Sequence, residues 1–123
     1  MDVLLANNLY PPEDLGGGGK STALLAEALR DHGITVSVAT LTGESTRNHE
    51  SVEGIRVDRL PLSNLYWPFS AEGHRRFLRP VFNVVDLYNR RMKRTFGELL
   101  DERRPDLVRT KNVYGFSTAI WEA

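Results

Sequence analysis

Apolar and polar residues alternate along the chain with two different periods, which predict strands and helices in turn. Four segments are short, rich in apolar or β-branched residues and bounded by turn residues, as strands are: 3–6, 34–40, 54–60 and 107–110. The first, "VLLA", is apolar throughout and predicts a strand buried on both faces. The polar segment 42–53 shows no periodicity and is expected to be a loop.

Helical spacing of apolar residues appears in two longer segments, 21–32 and 81–100. In the first of these, Ser21 or Thr22 is a candidate N-cap, because a hydroxyl can accept a hydrogen bond from the first turn. Gly33 suits the left-handed position that follows many helices. The two segments are therefore predicted to be helices that lie between strands.

Strands that alternate with helices predict an α/β fold with a parallel sheet. We expect a Rossmann-like sheet with helices on both faces and the four predicted strands in the order 3-2-1-4. The 123 residues are enough for one domain. A last helix, capped by Ser117 or Thr118, has run for only a few residues at Ala123. This predicts that residues 1–123 are a single N-terminal domain truncated at its C-terminal end.

Charge is balanced overall but unevenly distributed. The chain has 16 basic and 16 acidic residues, yet residues 74–94 carry seven Lys or Arg against one Asp. The favoured interpretation of this stretch is a solvated helix face and a loop packed on its own domain. With the aromatic "LYWPF" just before it, the alternative is a peripheral contact with an anionic membrane surface. Nucleic acid is not expected as a partner, because the remaining chain is acidic and no nucleic-acid-binding motif occurs.

Several classes of site are disfavoured by what the sequence lacks. Cysteine is absent, which excludes disulfides and thiolate metal sites. His49 and His74 lie in polar segments without a cluster of ligands, so we expect no metal site. The N-terminus "MDVLLANN" does not resemble a signal peptide, and no apolar run approaches the ~20 residues needed to cross a bilayer. We expect a cytoplasmic protein.

The stretch "LGGGGKST" at residues 15–22 is the strongest candidate for chemistry. A glycine turn that leads from a strand into a helix exposes backbone N–H groups at the positive end of the helix dipole. Such a site holds phosphate or carboxylate, and Lys20 can add a charge. A P-loop fits poorly, because Asp14 stands where its early glycine is needed and no magnesium-binding carboxylate occurs in the second strand before Glu44.

Three alternatives stay open at this point. The glycines can form a tight turn without any ligand, which is common. The chain can be a fragment of a P-loop-like ATPase, or a non-catalytic Rossmann-like binding module.

A wider pattern resembles the start of the group 1 (family 4) glycosyltransferases of the GT-B fold. "VLLANNLYPPEDLGG" followed by "LLAEALRDHGITVSVATLT" matches the family's strand, "YPP", double glycine, helix with L-A-x-A-L, "HG" and second strand. "PDLVRTKNVYGFSTAIW" resembles the family's "PD-V-H-x-H-N" strand and the following helix. The likeness covers most of the chain and is weak between residues 44 and 79.

The resemblance implies a two-domain retaining enzyme that moves a sugar from a nucleotide-sugar donor to an acceptor, which is a glycan, a lipid-linked molecule or a small molecule. Its active site lies in a cleft between two Rossmann-like lobes. This chain corresponds to the acceptor-side N-terminal lobe, which is expected to be inactive without the C-terminal lobe. Enzymes of this fold usually need no metal, so no cofactor is expected beyond the nucleotide sugar as substrate.

The resemblance also assigns candidate site residues. Gly16 and Gly17 fall on the double glycine, where the backbone approaches the donor diphosphate or the transferred sugar, and Lys20 follows them. Arg109, Lys111 and Asn112 fall on the strand end that faces the acceptor and the cleft. Lys111 is the candidate catalytic residue, because it stands where the family often has a histidine that contacts the transferring sugar. A lysine binds phosphate or a hydroxyl but does not provide a neutral imidazole at pH 7.

Overall fold

The computed structural model describes residues 1–11, 17–44, 46–62, 89–111, 116 and 120–121. Their regular elements, in chain order, are β1 (Asp2–Asn7), α1 (Gly17–Asp31), β2 (Thr35–Thr42), β3 (Asn48–Val52), β4 (Ile55–Pro61), α2 (Arg90–Arg103) and β5 (Leu107–Lys111). The five strands form one sheet in the order β3-β4-β2-β1-β5. Only the β3–β4 pairing in it is antiparallel.

The predicted fold class is confirmed. The four strands that the sequence predicts are β1, β2, β4 and β5, and their order in the sheet is the predicted 3-2-1-4. The sheet differs from the prediction by β3, an additional edge strand. Strand β3 lies in the segment 42–53, for which the prediction of a loop was wrong.

A tight turn explains why β3 forms. Glu53 and Gly54, which join β3 to β4, have φ values of 52° and 76°. Two consecutive residues with positive φ form the type I′ turn, whose twist matches that of a two-stranded hairpin. The hairpin signal in the sequence was weak, because glutamate is not among the residues that usually occupy the first position of this turn.

Helices cover both faces of the sheet, as predicted. On one face, Val3, Leu5, Val38 and Val57 pack against α1. On the other face, Leu4, Ala39, Leu41 and Leu60 share a cluster with residues of α2, namely Met92, Phe96 and Leu99. The rings of Phe96 and Phe116 meet edge to face, with centroids 5.9 Å apart. Alternate residues of each strand therefore serve two separate cores, which is why β1 and β2 are buried on both faces.

Both helix starts differ from the prediction. Helix α1 begins at Gly17, so Ser21 and Thr22 lie within the helix and do not cap it, and Gly17 to Gly19 are not loop residues. Its end agrees with the prediction, since Gly33 is left-handed with a φ of 79°. Helix α2 begins only at Arg90, because Asn89 is extended and its side chain accepts hydrogen bonds from the first-turn amides. The earlier part of that predicted helix, 81–88, lies outside the described residues.

An ion-pair cluster ties the β3–β4 hairpin to the end of α2. Asp58 of β4 is fully buried and lies 3.3 Å from Arg56 and Arg103 and 3.5 Å from Arg47. Arg47 also pairs with Glu102 at 2.6 Å. The hydrogen bond between them lowers the pKa of Glu102 and raises that of Arg47. We call these five residues the Asp58 cluster.

Candidate functional site

The candidate site lies where the direction of the chain's crossovers reverses. The crossover from β1 through α1 to β2 runs toward one edge of the sheet, and the crossover from β4 through α2 to β5 returns past β1 to the other edge. The reversal therefore falls between β1 and β5. In open α/β sheets, ligands bind at such a switch point, outside the carboxyl ends of the strands.

A cavity of about 220 Å³ occupies this position. Its apolar wall is formed by β1 and α1, and its polar wall by β5 and the first turns of α1. The lining residues are Leu5, Ala6, Ser21, Thr22, Leu25, Arg109 and Lys111. Among the described residues, the lining has two cationic side chains and no acidic one, so the cavity suits an anionic or polyhydroxylated group.

Register explains why Arg109 and Lys111 meet α1. Arg109 pairs with Leu5 and Lys111 with Asn7 across the parallel β1–β5 ladder. Paired residues of parallel strands point to the same face, and Leu5 belongs to the core under α1. Both cations therefore extend on the α1 face, at the carboxyl end of the sheet, where they are exposed. This brings together two residues that the sequence analysis assigned to the cleft.

Lys111 reaches the start of α1 directly. Its Nζ donates a hydrogen bond of 3.2 Å to Oγ of Ser21. This bond joins residues 90 positions apart in the sequence and holds the ammonium group beside the N-terminal turns of the helix. Lys111 and the positive end of the helix dipole thus act on the same region.

The N-terminal turn of α1 supplies backbone donors to this region. The N–H groups of residues 17–19 cannot bond within the helix, since an α-helix leaves the amides of its first turn without an intrahelical acceptor. Gly17, predicted to contact the donor, is the first residue of the helix. Lys20 is exposed in the same turn but does not line the cavity. Gly16 and Asn112, the other predicted site residues, lie outside the described part of the chain.

The segment that follows β1 is fixed on the α1 face of the sheet. Tyr10 is buried in the core under α1, and this burial, together with the charge of Glu27, raises the pKa of its phenol. Arg59 of β4 donates to the carbonyl oxygen of Pro11, at 2.9 Å. The amide of Asn7 donates to the carbonyl oxygen of Leu9. These contacts fix the position of the backbone directly after β1, at residues 9–11.

Sequence reasoning missed several residues of this region. Ser21 and Thr22 were interpreted as caps, although they line the cavity. Arg59 was interpreted only as part of a strand, since an arginine is ordinarily expected to be exposed. A signal was available in the alternation of that strand, because Arg59 occupies the same phase as the apolar Ile55 and Val57.

Neither a metal cluster nor a membrane span is found among the described residues. No group of three or more histidine, aspartate or glutamate side chains there could hold a metal ion. None of the described helices has the length and apolar character that a bilayer crossing requires.

The sheet order and the position of the cavity define an α/β protein of the Rossmann-like class, with a cationic candidate site at the switch point. The sequence profile of the family described as "Glycosyl transferase 4-like domain" matches residues 16–123. The chain belongs to this family. No solved structure matches it significantly.

A curated relative is described as an uncharacterized 42.6 kDa protein in cps region, from Klebsiella pneumoniae. It is 32% identical over 122 residues, which cover 99% of this chain. The chain spans about a third of the length of that relative, at 33%.

Proposed function

We propose that this chain is the acceptor-side N-terminal lobe of a retaining glycosyltransferase of the GT-B fold, of the hexosyltransferase type. The whole protein transfers a sugar from a nucleotide-sugar donor to an acceptor. Membership of the glycosyl transferase 4-like family supports the transferase class. The observation that carries the proposal is the cavity at the switch point, where Arg109 and Lys111 face the first turns of α1.

The chemistry of glycosyl transfer explains why such a site is useful. As the bond between the sugar and the diphosphate breaks, negative charge develops on the leaving phosphate. Donors that are already oriented toward that charge stabilise the transition state more than the ground state. The first-turn amides of α1 and the ammonium group of Lys111 are suited to this role. Lys111 is bonded to Ser21 and can exchange this neutral acceptor for a phosphate oxygen.

Arg109 and Lys111 contribute differently to the proposed site. Lys111 is the point charge next to the helix start, and Arg109 lies two residues earlier on the same strand face. A guanidinium group can bind a phosphate or a carboxylate in bidentate fashion. We assign Lys111 to the donor and Arg109, with Asn112, to the acceptor side of the cleft.

The P-loop alternative is not favoured by the geometry. Gly17, Gly18 and Gly19 form the first turn of α1, whereas a P-loop needs its glycines in a loop that wraps the phosphates. The remaining features of the proposal are predictions: a cytoplasmic location, activity without a metal, and peripheral membrane contact through residues 74–94. Most of that basic stretch, 74–88, lies outside the described residues.

Isothermal titration of the full-length protein with UDP- and GDP-sugars tests the proposal. We expect one of these donors to bind, and Lys111→Met to weaken its binding roughly 10- to 100-fold, as loss of a charged hydrogen bond worth about 1.5–3 kcal/mol predicts. Arg94→Met is the matched control, because it removes another exposed cation, from α2 on the opposite face. Absence of binding with every common donor contradicts the proposal, and so does equal weakening by both substitutions.

A further inference from the structure

A row of buried polar residues crosses the α1 face of the sheet at the carboxyl ends of three strands. In the preceding row, Leu5, Val38 and Val57 are neighbours by register and belong to the core. Two residues further along each strand, the same face carries Asn7, Thr40 and Arg59. Their exposed fractions are 0%, 0% and 6%. The core therefore ends on this face in a polar row, directly after an apolar one.

Two members of the row bind the chain that leaves β1. The amide of Asn7 donates to the carbonyl of Leu9, and Nη2 of Arg59 donates to the carbonyl of Pro11 at 2.9 Å. Pro11 belongs to the connection between β1 and α1, residues 8–16, which leads into the glycines at the proposed donor site. The row thus holds the described first part of this connection, residues 8–11.

Glu50 of β3 completes the arrangement. Its Oε1 accepts from Nε of Arg59 at 2.8 Å and lies 2.7 Å from Nη2. The carboxylate neutralises the buried guanidinium, so Arg59 does not act as a free positive charge for a phosphate. The side chain of Arg59 is only 7% exposed, which also keeps it from a bound ligand. In the part of the chain that the structure describes, Pro11 is the residue through which Arg59 contacts the connection to the site.

The row has hydrogen-bonding capacity that the described residues do not use. Oδ1 of Asn7, Oγ1 of Thr40 and Nη1 of Arg59 are buried and have no hydrogen-bond partner there. Buried polar atoms without partners are rare in folded proteins, and each one calls for an explanation. An apolar row would pack against α1 without this cost. The polar row therefore indicates a role other than packing.

We propose that Arg59 is a positioning residue, which holds the β1–α1 connection through Pro11 and thereby places the start of α1 for the ligand. The β3–β4 hairpin, which supplies both Arg59 and Glu50, is the support of this connection. The effect on a nucleotide-sugar donor rests on the proposed function, whereas the effect on the connection itself does not.

Two measurements on the full-length protein test this role. Hydrogen exchange in the absence of ligand reports the opening of the peptides that span residues 8–22. Titration or kinetics with the donor reports its Kd, and the KM and kcat. Arg59→Lys keeps the charge beside Glu50 but loses the guanidinium fork that reaches Pro11. Arg56→Lys is the matched control, because it makes the same change on the same strand at a residue that pairs with Asp58, at 3.3 Å.

We expect Arg59→Lys to speed exchange in residues 8–22 and to raise the donor Kd and KM about three- to tenfold, as loss of one hydrogen bond to the connection predicts. The kcat is expected to change less than KM, and Arg56→Lys to change neither exchange nor affinity. If Arg59→Lys does not fold, Glu50→Ala is the second variant. This substitution changes a half-exposed surface residue and leaves the buried Arg59 without its counter-charge. It is also expected to speed exchange in residues 8–22 and to raise the donor Kd and KM.

The outcomes separate the two proposals. Unchanged exchange in Arg59→Lys, or equal acceleration by Arg56→Lys, overturns the positioning role. A third outcome is faster exchange in Arg59→Lys together with a wild-type protein that binds no nucleotide sugar. It supports the positioning role and refutes the proposed donor.

Discussion

Asp58→Asn is the substitution for which the structure predicts the largest loss of stability. The carboxylate of Asp58 is fully buried and has three guanidinium partners, Arg47, Arg56 and Arg103, at 3.3 to 3.5 Å. An asparagine of the same shape can accept hydrogen bonds from these guanidinium groups but cannot neutralise their charge. The variant therefore leaves an excess of positive charge between the hairpin and α2.

The expected cost follows from the exposure of the partners. Removal of one member of a buried ion pair costs about 3–5 kcal/mol, because the remaining charge is left without compensation. Here the three arginine side chains are 29%, 41% and 23% exposed, so they can regain part of their hydration. We therefore expect the lower end of that range, about 3 kcal/mol.

Urea unfolding at pH 7, followed by circular dichroism and fluorescence, measures this loss as a shift of the midpoint at constant slope. Glu98→Gln is the control, because it removes one acid from an exposed pair of α2, Arg94–Glu98, where such helix pairs contribute about 0.3–0.5 kcal/mol. In an Arg56→Met background the cost of Asp58→Asn should fall by about 1 kcal/mol, since one partner is already gone. A cost below about 1 kcal/mol in the wild-type background would refute the reasoning.

Two further predictions concern α2. Asn89→Ala should cost about 1 kcal/mol of stability in the same urea assay, because Oδ1 of Asn89 accepts from the amides of Arg91 and Met92 at 3.1 and 3.2 Å. Asn89→Ser should retain most of that stability, since serine is also a good N-cap. Equal loss in both variants would show that capping is not the cause. Since the pKa of Glu102 is lowered from its ordinary value of 4.5 by the hydrogen bond from Arg47, this pair stabilises the fold above that pH and loses its contribution as the pH falls through the lower, folded value. Stability measured against pH should therefore converge for wild type and Glu102→Gln in acid and separate above pH 4.5; curves that stay parallel would contradict this.

The strand pattern of the sequence was sufficient to predict the fold class. Short apolar runs separated by helical segments leave few arrangements, because crossovers are right-handed and parallel strands need connections that cross a face of the sheet. β3 could not be predicted in the same way. Its side chains are largely exposed, with His49, Glu50 and Ser51 in succession, so its only signal was the two-residue turn at Glu53 and Gly54.

Helix starts were harder to predict than helix ends. Gly33 carries a clear conformational signal, because glycine adopts left-handed backbone angles without the steric cost that a side chain brings. At the start of α1, glycines are poor helix formers, and the sequence favoured a later start at Ser21. The helix nevertheless begins at Gly17, so Lys20 and Ser21 are consecutive exposed residues within it.

The candidate site was predictable in part, for a similar reason. Arg109 and Lys111 could be assigned to one strand end from their motif, and parallel register brings them to α1. The bond from Lys111 to Ser21 joins two distant segments and depends on where the helix begins, so no local pattern contains it. The buried state of Arg59 likewise depends on the hairpin that the sequence did not reveal.

The most direct test of the account is the position of the donor diphosphate in a crystal structure of the full-length protein with its bound nucleotide sugar. We predict phosphate oxygens within about 2.7–3.2 Å of Nζ of Lys111 or of the first-turn amides of α1, with the bond from Lys111 to Ser21 exchanged for one to phosphate. A diphosphate held entirely by other residues, with Lys111 still bonded to Ser21, would contradict it.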